Sequence, residues 1–342
     1  CISSAASDVY KRQILWGLLA CMAFTSCYEE DTLTPTEGGV ELRFKVPQGN
    51  NSWDNDIAQI YEDYNVYLIY KDLQRADFNR SWTGIAYGSG YEGQGCVNDE
   101  MANYYVEFMK KHIFAYLNPP ITSKVLPMYW YLGYNVYSKS VLEVGGVILA
   151  SWIVPIHENY DGLDYWCTCM FGEDNPSDPY LIPTDRALLD RRRKMILAPV
   201  LEKAVKAGNI IIPEEFEMGF DHVTNLIAGL GMEDDPNYYL TRGYPGSVNT
   251  YVFNSTSTPA NNSYPPTNEE TFIGYMHLSM FYNQAQLAEV YPADKYPFLT
   301  EKFAFVQKYL KDKYQIDLEA IANGPEDWNL PLPPIPETPD EE

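Results

Sequence analysis

The sequence predicts an α+β domain in which a small mixed sheet is combined with a mainly helical C-terminal half. Apolar or alternating runs, which are typical of strands, fall in the first half of the chain, at residues 40–46, 66–70, 125–132 and 147–156. Apolar residues at helical spacing dominate from residue 185 onward. The sequence has no repeat period, and its 342 residues suffice for a substantial core. We therefore expect one folded domain over residues 40–328.

The first half contains one long helix among the strands. Residues 98–117 carry apolar positions on one side at helical spacing, and Pro119 and Pro120 end the pattern. A short helix over 57–61 precedes the strand at 66–70, and the Gly-, Ser- and Tyr-rich segment 73–96 is predicted to be a loop. Pro127 lacks a backbone donor, which confines the 125–132 strand to an edge or an end. The 147–156 strand is expected to be buried, and 157–184 to be irregular.

The second half is predicted to be helical around one long loop. A helix spans 185–207, either interrupted or restarted at Pro199, with Gly208 suited to its C-terminus. A second helix is predicted over 213–230, with Pro213 near its first turn. Residues 231–266 form a long loop, which in compact domains is usually functional or mobile. Three further helices are expected over 268–290, 299–313 and 317–322. The Pro-rich acidic segment 329–342 is expected to be disordered.

Charge and composition restrict the classes of partner that the protein can bind. The formal net charge is −23, with 24 Lys and Arg against 47 Asp and Glu. Such acidity disfavours nucleic acid and anionic membranes, because like charges repel and no basic stripe is present to release counterions. The 29 Tyr, 14 Phe and 7 Trp include two aromatic segments, 129–137 and 238–251, that are candidates for ligand contacts.

Three cysteines of the predicted domain, Cys96, Cys167 and Cys169, leave several interpretations open. An odd number excludes a complete disulfide framework within one chain. The Cys167-Thr168-Cys169 spacing is too tight for ordinary disulfide geometry in an extended strand, where alternate residues share a face about 6 to 7 Å apart. One of them could pair with Cys96, both could offer thiolates to a soft metal, or all three could be buried free thiols.

Three stretches together resemble one family of bacterial lipoproteins. They are Trp53 to Tyr70 with its YNV segment, Leu201 to Val205 followed by Ile212-Pro213-Glu214-Glu215-Phe216, and Asn268 to Phe272 followed by residues 296–310. Their order and spacing are similar to those of the substrate-import-associated zinc metallohydrolase lipoproteins of Bacteroidota. The resemblance spans roughly residues 40–322. It implies a zincin-like metallopeptidase scaffold, with a TonB-dependent outer-membrane importer and its companion binding lipoprotein as partners.

The resemblance also implies a lipid-anchored N-terminus. Residues 14–27 have the form of a signal peptide whose apolar run is too short to span a bilayer, and the small residues before Cys27 resemble a lipoprotein cleavage site. Cys27 would carry the lipid, and 28–39 would be a flexible acidic tether that favours display on the cell surface. Residues 1–13 are interpreted as derived from a sequencing adapter, the alternative being a natural basic n-region.

The metal motif of the family is degraded in this chain. The family carries His-Glu-x-x-His where this sequence has Leu201, Glu202 and Val205. An imidazole nitrogen binds zinc and a hydrocarbon does not, so the paired replacement predicts a packed apolar stripe. Glu202 is then expected to be a surface residue. Glu270, at the family's acidic position, is expected to act as a helix N-terminal carboxylate instead of a metal ligand.

The four histidines limit any alternative metal site. No pair has i, i+4 spacing, and His112 and His277 are predicted to be packing residues on amphipathic helices. His157 begins a near-miss His-Glu-x-x-Asp that does not fit one helix face. His222 was placed on the 213–230 helix beside Asp221, from which it could approach Glu270.

Two functions therefore follow from the sequence. The first is a surface-exposed outer-membrane lipoprotein that has a metallopeptidase-like fold, is catalytically inactive, carries no cofactor, and assists ligand capture or assembly with an importer. The alternative is an active zinc metallohydrolase, a peptidase, with a relocated site built from His222, Glu270 and Asp221 or from His157.

Overall fold

The computed structural model describes residues 42–80, 89–160, 162–173, 178, 181–248 and 256–336. The chain divides into two compact units, Cys1–Arg43 and Phe44–Glu342, and only residues 42 and 43 of the first are described. The predictions for residues 1–39, including Cys27, lie outside the described residues. Within the described ranges, no helix combines the length and the apolar character needed to cross a membrane.

The second unit is an α+β domain, as predicted. Its first half contains α1 (Ser52–Tyr64), β1 (Tyr67–Ile69), α2 (Arg75–Phe78), β2 (Gly90–Gly95), α3 (Asp99–Phe108), α4 (Pro119–Thr122), β3 (Tyr129–Val144), β4 (Val147–Pro155), β5 (Glu158–Asn159) and β6 (Tyr165–Phe171). Its second half contains α5 (Arg186–Lys206), α6 (Glu214–Glu217), β7 (Ser247–Val248), β8 (Thr256–Ser257), α7 (Asn268–Ser279), α8 (Gln284–Val290), α9 (Pro297–Tyr314) and α10 (Leu318–Asn323). A π-helical turn, Met109–Ile113, and a 3₁₀ turn, Phe114–Tyr116, continue α3.

The long strand β3 organises a mixed six-stranded sheet. Its first half pairs in parallel with β1 on one side and β6 on the other, with Tyr129 opposite Tyr67 and Tyr165. Its second half pairs antiparallel with β2 and with β4. Alternate side chains of the first half enter two cores: Trp130 and Leu132 join the large core formed with the helices, whereas Tyr129 and Tyr131 join a smaller core on the other face.

The sequence analysis missed strand β6, which lies inside the segment predicted to be irregular. All seven of its residues are buried. It lies in parallel beside β3, and strands covered on both faces are continuously apolar instead of alternating. Thr168 interrupts the apolar run, but the indole Nε1 of Trp130 donates to its hydroxyl at 2.9 Å. Cys167 and Cys169 occupy this strand, and both, like Cys96, are free thiols.

The predictions for β3 and β4 differ from the structure in where β3 begins and in whether β4 is buried. The strand predicted over 125–132 begins at Tyr129, so Pro127 precedes its first residue, in agreement with the expected position at an end. The strand lies in the middle of the sheet and not at an edge. β4 has the predicted span but is exposed instead of buried. It forms a hairpin with the second half of β3, and we call residues 138–154 the exposed hairpin. Eight large apolar side chains of the exposed hairpin face solvent: Leu142, Val144, Val147, Ile148, Leu149, Trp152, Ile153 and Val154.

The helix predicted over 213–230 is also wrong, because only α6 forms there. Lys302, a buried residue of α9, donates from Nζ to the carbonyls of Glu215, Phe216 and Met218 at 3.2, 2.7 and 2.8 Å. These carbonyls would otherwise accept the next bonds of a continuing helix. Gly219 then adopts φ +94°, a conformation that turns the chain away.

Smaller differences concern both ends of the domain and the first loop. Residues 42–46 are irregular instead of forming a strand, and the predicted loop 73–96 contains α2 and β2. Part of the predicted disordered tail 329–342 packs on the domain: Pro333 is buried, and the Asn98 side-chain amide donates to the Pro334 carbonyl at 2.8 Å. Residues 337–342 lie outside the described residues.

Helix α5, which carries the degraded motif, runs without interruption through Pro199. Asp185 caps its first turn by accepting from the backbone N–H of Leu188 at 2.9 Å. Its C-terminus is followed by Gly208, whose φ of +77° suits the residue that ends a helix. The last two turns of α5 therefore keep a regular helical register, which decides where each motif residue points.

Candidate functional site

A cleft of about 610 Å³ lies between the end of α5, the segments around β7 and β8, and the first turns of α7. This size is in the range of small-molecule sites. Its lining combines charged, aromatic and proline side chains: Glu202, Lys206, Leu226, Tyr244, Gly246, Ser247, Val248, Ser257, Thr258, Pro259, Tyr264, Pro265, Pro266, Glu270, Ile273, Gly274 and His277.

The two motif positions that would hold metal ligands face away from this cleft. Leu201 is 0% exposed and Val205 is 5% exposed, and both belong to the large core. Leu197 and Ala204 continue the same apolar face. These side chains offer no lone pair and do not line the cleft.

Glu202 and Lys206 lie on the neighbouring face of α5, about 100° around the helix axis from Leu201 and Val205, and line the cleft. They lie one helical turn apart, and Lys206 Nζ is 2.6 Å from Glu202 Oε1. The hydrogen bond from this carboxylate raises the pKa of Lys206. Glu202 keeps about a third of its side chain exposed, so it is a partly covered cleft residue instead of a plain surface residue.

His277 on α7 faces Glu202 across the cleft wall. The residue is only 7% exposed. Its Nε2 atom is buried and has no hydrogen-bond partner among the described residues, with Glu202 Oε2 at 4.0 Å. Burial lowers the pKa of His277, and Glu202 opposes this shift. The sequence analysis treated this residue as packing and missed its position in the cleft.

Glu270 closes the N-terminus of α7. Its Oε2 accepts from the backbone N–H and the hydroxyl of Thr267 at 2.8 and 2.9 Å, and Thr267 in turn caps the Glu270 N–H. This reciprocal pair is a capping box. The bonds from Thr267 lower the pKa of Glu270. Glu270 therefore has the helix N-terminal position that was expected of it, and it also lines the cleft.

His222 lies in an irregular segment and not on a helix. Its Nδ1 is 2.7 Å from the Pro266 carbonyl and 3.3 Å from the Tyr244 hydroxyl. Asp221 accepts from the backbone N–H groups of Val223 and Thr224, and these bonds lower its pKa to about 2. The Tyr244 hydroxyl also bonds the Asp221 carbonyl at 3.0 Å, so His222 and Asp221 share this partner. The carboxylates of Asp221 and Glu270 are each bonded within their own segments, and among the described residues they do not form the metal-binding group with His222 that the relocated site requires.

His157 belongs to a different part of the domain, at the start of β5. Its Nε2 is 2.5 Å from Asp178 Oδ2, and burial together with Arg192 lowers its pKa to about 4. The next residue, Glu158, forms a buried ion pair with Arg192 at 3.1 Å. The near-miss motif therefore supplies ion-pair partners within the fold, and its last member, Asp161, lies outside the described residues.

These residues do not fit a zinc ion. Within the described parts of the chain, no group of three or more His, Cys, Asp or Glu side chains is arranged to hold a metal. Two motif positions are hydrocarbons, and one oxygen of Glu270 is used by its cap. Burial raises the pKa of the Cys167 thiol, and it raises that of Cys169 to about 11, which disfavours the thiolates that a soft metal needs.

The aromatic segments proposed for ligand contact are mostly part of the cores. Tyr129, Tyr131 and Tyr134 are buried in the sheet, and Tyr238 and Tyr239 are buried in the loop region. The ring that is available in the cleft is Tyr264, at 81% exposure, from outside both predicted segments. Residues 249–251 lie outside the described residues.

One pattern in the sequence could have located the cleft. Glu270, Ile273, Gly274 and His277 recur at helical spacing and mark one face of α7, and Glu202 and Lys206 mark one face of α5. Reading the polar faces of both helices, as well as the apolar ones, would have singled out His277.

Comparisons with known proteins find little similarity. No family model matches the sequence, and no curated protein matches it. One solved structure, described as a "putative zinc-binding metallo-peptidase from Bacteroides caccae ATCC 43185", is similar over 80% of this chain and 92% of its own, with 14% sequence identity and a TM-score of 0.38. At this TM-score the likeness carries no argument about activity or metal.

Proposed function

We propose that this chain is a ligand-capturing surface lipoprotein that does not catalyse metal-dependent hydrolysis. The observation that carries the proposal is the division of α5 into two faces. Leu201 and Val205 are sealed in the core, while Glu202 and Lys206 face a cleft that has the size of a small-molecule site. The cleft thus has polar groups for recognition but lacks the ligand set for a metal-bound water.

A paired assay of hydrolysis and binding tests this function. A fragment of residues 28–342, which lacks the proposed lipid site Cys27, is incubated with peptide and glycan substrates with and without a chelator, and the same substrates are screened for binding. We expect binding without turnover, and we expect Glu202→Gln to weaken it. Chelator-sensitive cleavage that survives repurification would contradict the proposal.

The resemblance supplies the proposed setting of this activity. It places the chain on the cell surface through a lipid on Cys27, beside a TonB-dependent importer and a companion binding lipoprotein. The exposed hairpin supports a protein partner, because contiguous exposed apolar surface on soluble domains usually marks a contact site. Lipid is a less suitable cover, since the outer edge of β4 would leave backbone groups unpaired in hydrocarbon.

Site-specific photo-crosslinking in cells tests this partner. A photoreactive residue replaces Trp152 in the exposed hairpin, and the control carries it at Lys308, an exposed position on α9. We expect position 152 alone to yield adducts with an outer-membrane importer. Adducts only with lipid or with a second copy of the chain would remove the importer from the proposal.

A further inference from the structure

The exposed hairpin is a regular element with a tight turn. Gly145 and Gly146 join its two strands, and both have positive φ, at +61° and +83°. A type I′ turn requires positive φ at both central residues, and its twist matches that of the paired strands. β3 and β4 stay paired from this turn to Pro155, with one register shift. The hairpin therefore presents an ordered strand edge to its surroundings.

Alternate residues of β4 direct their backbone groups away from β3. In an antiparallel pair, every second residue bonds the neighbouring strand, and the residues between them face outward. The N–H of Ile156 donates to the Val136 carbonyl at 2.9 Å, so residues in step with Ile156 face β3. Val141, which lies opposite Ser151, donates instead to the Ser89 hydroxyl at 3.2 Å, just before β2. Ser151 is therefore one of the outward-facing residues.

The open edge of β4 lies between the register shift and a proline. Leu149 is left out of the pairing with β3 at the shift, so the regular edge begins after it. Ser151 and Ile153 then each present one N–H and one C=O outward, and among the described residues β4 pairs with β3 alone. Pro155 is next in this outward series, where a missing N–H removes no bond to β3. Residues 150–154 thus form an edge that can accept one more strand.

Both faces of this edge are apolar and open. Trp152 and Val154 lie on one face at 50% exposure each, and Ile153 lies on the other at 59%. A partner surface laid against one face would leave the other face in water. A strand added at the edge extends both faces at once, so its side chains can cover the apolar groups on each.

Charge indicates the chemistry of the added strand. β4 carries no charged residue, and the two charges of the exposed hairpin, Lys139 and Glu143, sum to zero. Edge strands that stay unpaired usually carry charged side chains or are covered. An uncharged apolar strand fits this edge. A second copy of the chain fits less well, because it would bring a further formal charge of −23 toward a chain of the same charge.

The open apolar surface has the size of a protein interface. The eight large apolar side chains of the exposed hairpin are 48 to 61% exposed. Together they leave on the order of 800 Å² open, which is about the area that each partner buries in a stable protein complex. The added strand should therefore belong to a protein that also packs on the rest of the hairpin.

We propose that the protein partner of the exposed hairpin adds an extended, uncharged and apolar segment to the outer edge of β4 at residues 150–154. This inference rests on the proposed protein contact at the exposed hairpin and names how that contact is made. Backbone bonds to Ser151 and Ile153 hold the added strand. Its side chains cover Trp152 and Val154 on one face and Ile153 on the other.

Amide hydrogen exchange of the 28–342 fragment, followed by NMR, tests whether the edge is open. We expect the amides of Ser151 and Ile153 to exchange at least about tenfold faster than those of Trp152 and Val154, which face β3. Equal protection of the two sets in the fragment alone would mean that the edge is already covered, and it would overturn the proposal.

A proline at the outward position tests strand addition itself. Ser151→Pro removes the outward N–H and keeps every apolar side chain of the hairpin, whereas the matched control Ser151→Ala keeps the N–H. With the photoreactive residue at position 152 in cells, we expect the yield of importer adduct to fall at least about tenfold in Ser151→Pro and to stay unchanged in Ser151→Ala. Equal unfolding midpoints show that both variants fold. If Ser151→Pro does not fold, Ile153→Pro with Ile153→Val as control makes the same comparison.

The outcomes separate this inference from the function on which it rests. Equal adduct yields from folded Ser151→Pro and Ser151→Ala chains would overturn strand addition and leave the importer contact standing. Absence of importer adducts from the parent chain would remove the proposed partner, and strand addition with it. Adducts with a second copy that disappear in Ser151→Pro would show pairing between copies and would overturn the partner proposed here.

Discussion

The two faces of helix α5 differ in whether they carry polar side chains that can contact a ligand. On the core face, Leu201 and Val205 are packed among aliphatic side chains and contribute only to stability. On the cleft face, Glu202 and Lys206 remain partly exposed and lie opposite the buried imidazole of His277. A rotation of about 100° around the helix axis thus separates positions that serve folding from positions that can serve recognition. The two motif positions lack the imidazoles that a metal needs, whereas Glu202 and Lys206 provide a carboxylate and an ammonium group that can contact a ligand.

The largest effect is expected from restoring the two histidines. In a Leu201→His, Val205→His chain both imidazoles would enter the core face, and burying polar rings without partners should cost about 3 kcal/mol or more of unfolding free energy. The side chains would point away from the cleft, so zinc binding should not appear. Denaturant unfolding and metal content measure both effects.

One result for this double variant would contradict the separation of the two faces of α5. Uptake of close to one equivalent of zinc with unchanged stability would mean that the core face opens to the cleft. In that case the comparison of the two faces would be wrong.

Two alanine substitutions one residue apart should separate stability from binding. Leu201→Ala should lower the unfolding free energy by about 2–5 kcal/mol through a core cavity, with the affinity of folded protein unchanged. Glu202→Ala should cost less than about 1 kcal/mol, because its ion pair with Lys206 is on the surface, but should abolish ligand binding. Urea unfolding and calorimetry distinguish the two. If Leu201→Ala weakened ligand binding as much as Glu202→Ala, the two faces of α5 would not have separate roles.

A smaller effect should appear in the pH dependence of stability. Burial lowers the pKa of His277, so the folded chain binds fewer protons than the unfolded chain, whose histidine has a pKa of about 6.5. Stability should therefore fall as the pH drops below about 6.5. A His277→Gln chain should lose less unfolding free energy between about pH 7 and pH 5 than the parent chain.

The other depressed histidines provide the background for this measurement. His112, with its pKa lowered to about 3 by burial and by Arg193, and His157 are present in both chains, so their contribution cancels in the difference. Glu202 and Lys206 are the charged groups nearest His277, and both remain. Identical pH profiles for the two chains would show that His277 is solvated like an ordinary histidine.

The smallest expected effect is a gain in ligand affinity, whereas the substitutions above lower stability or affinity. Lys206→Met removes an exposed i, i+4 ion pair, which should change stability by less than about 0.5 kcal/mol. It also removes the positive charge that lines the cleft, so affinity for a cationic ligand should rise about threefold at low salt. Calorimetry at two salt concentrations checks this prediction, and a fall in affinity would place Lys206 among the groups that bind the ligand directly.

The sequence predicted the elements whose signals are local. Helix α5 was predicted over 185–207 with Gly208 at its end, and α9 and α10 were predicted close to their observed positions. The single helix predicted over 268–290 is divided into α7 and α8. The mixed sheet was also predicted correctly as part of an α+β fold.

The errors arise where distant residues decide the structure. The helix expected over 213–230 stops because Lys302, more than 80 residues away, takes its carbonyls. β6 was missed because burial on both faces removes the alternation that marks a strand. β4 has a sequence typical of a buried strand, yet it lies in the exposed hairpin. The cleft joins α5 to residues that lie 24 to 75 positions after Glu202. Glu202, Glu270 and the segment 238–251, which supplies Tyr244, were singled out beforehand, whereas Lys206 and His277 were not recognised as cleft residues.

Metal content tests the central claim most directly. A fragment of residues 28–342 is dialysed against trace zinc, and its bound metal is measured by mass spectrometry. The two-face arrangement of α5 predicts less than about a tenth of an equivalent of zinc, because its motif face offers hydrocarbon instead of imidazole. A value near one equivalent, lost on Glu202→Gln or His277→Gln, would contradict it and would identify the cleft as a metal site.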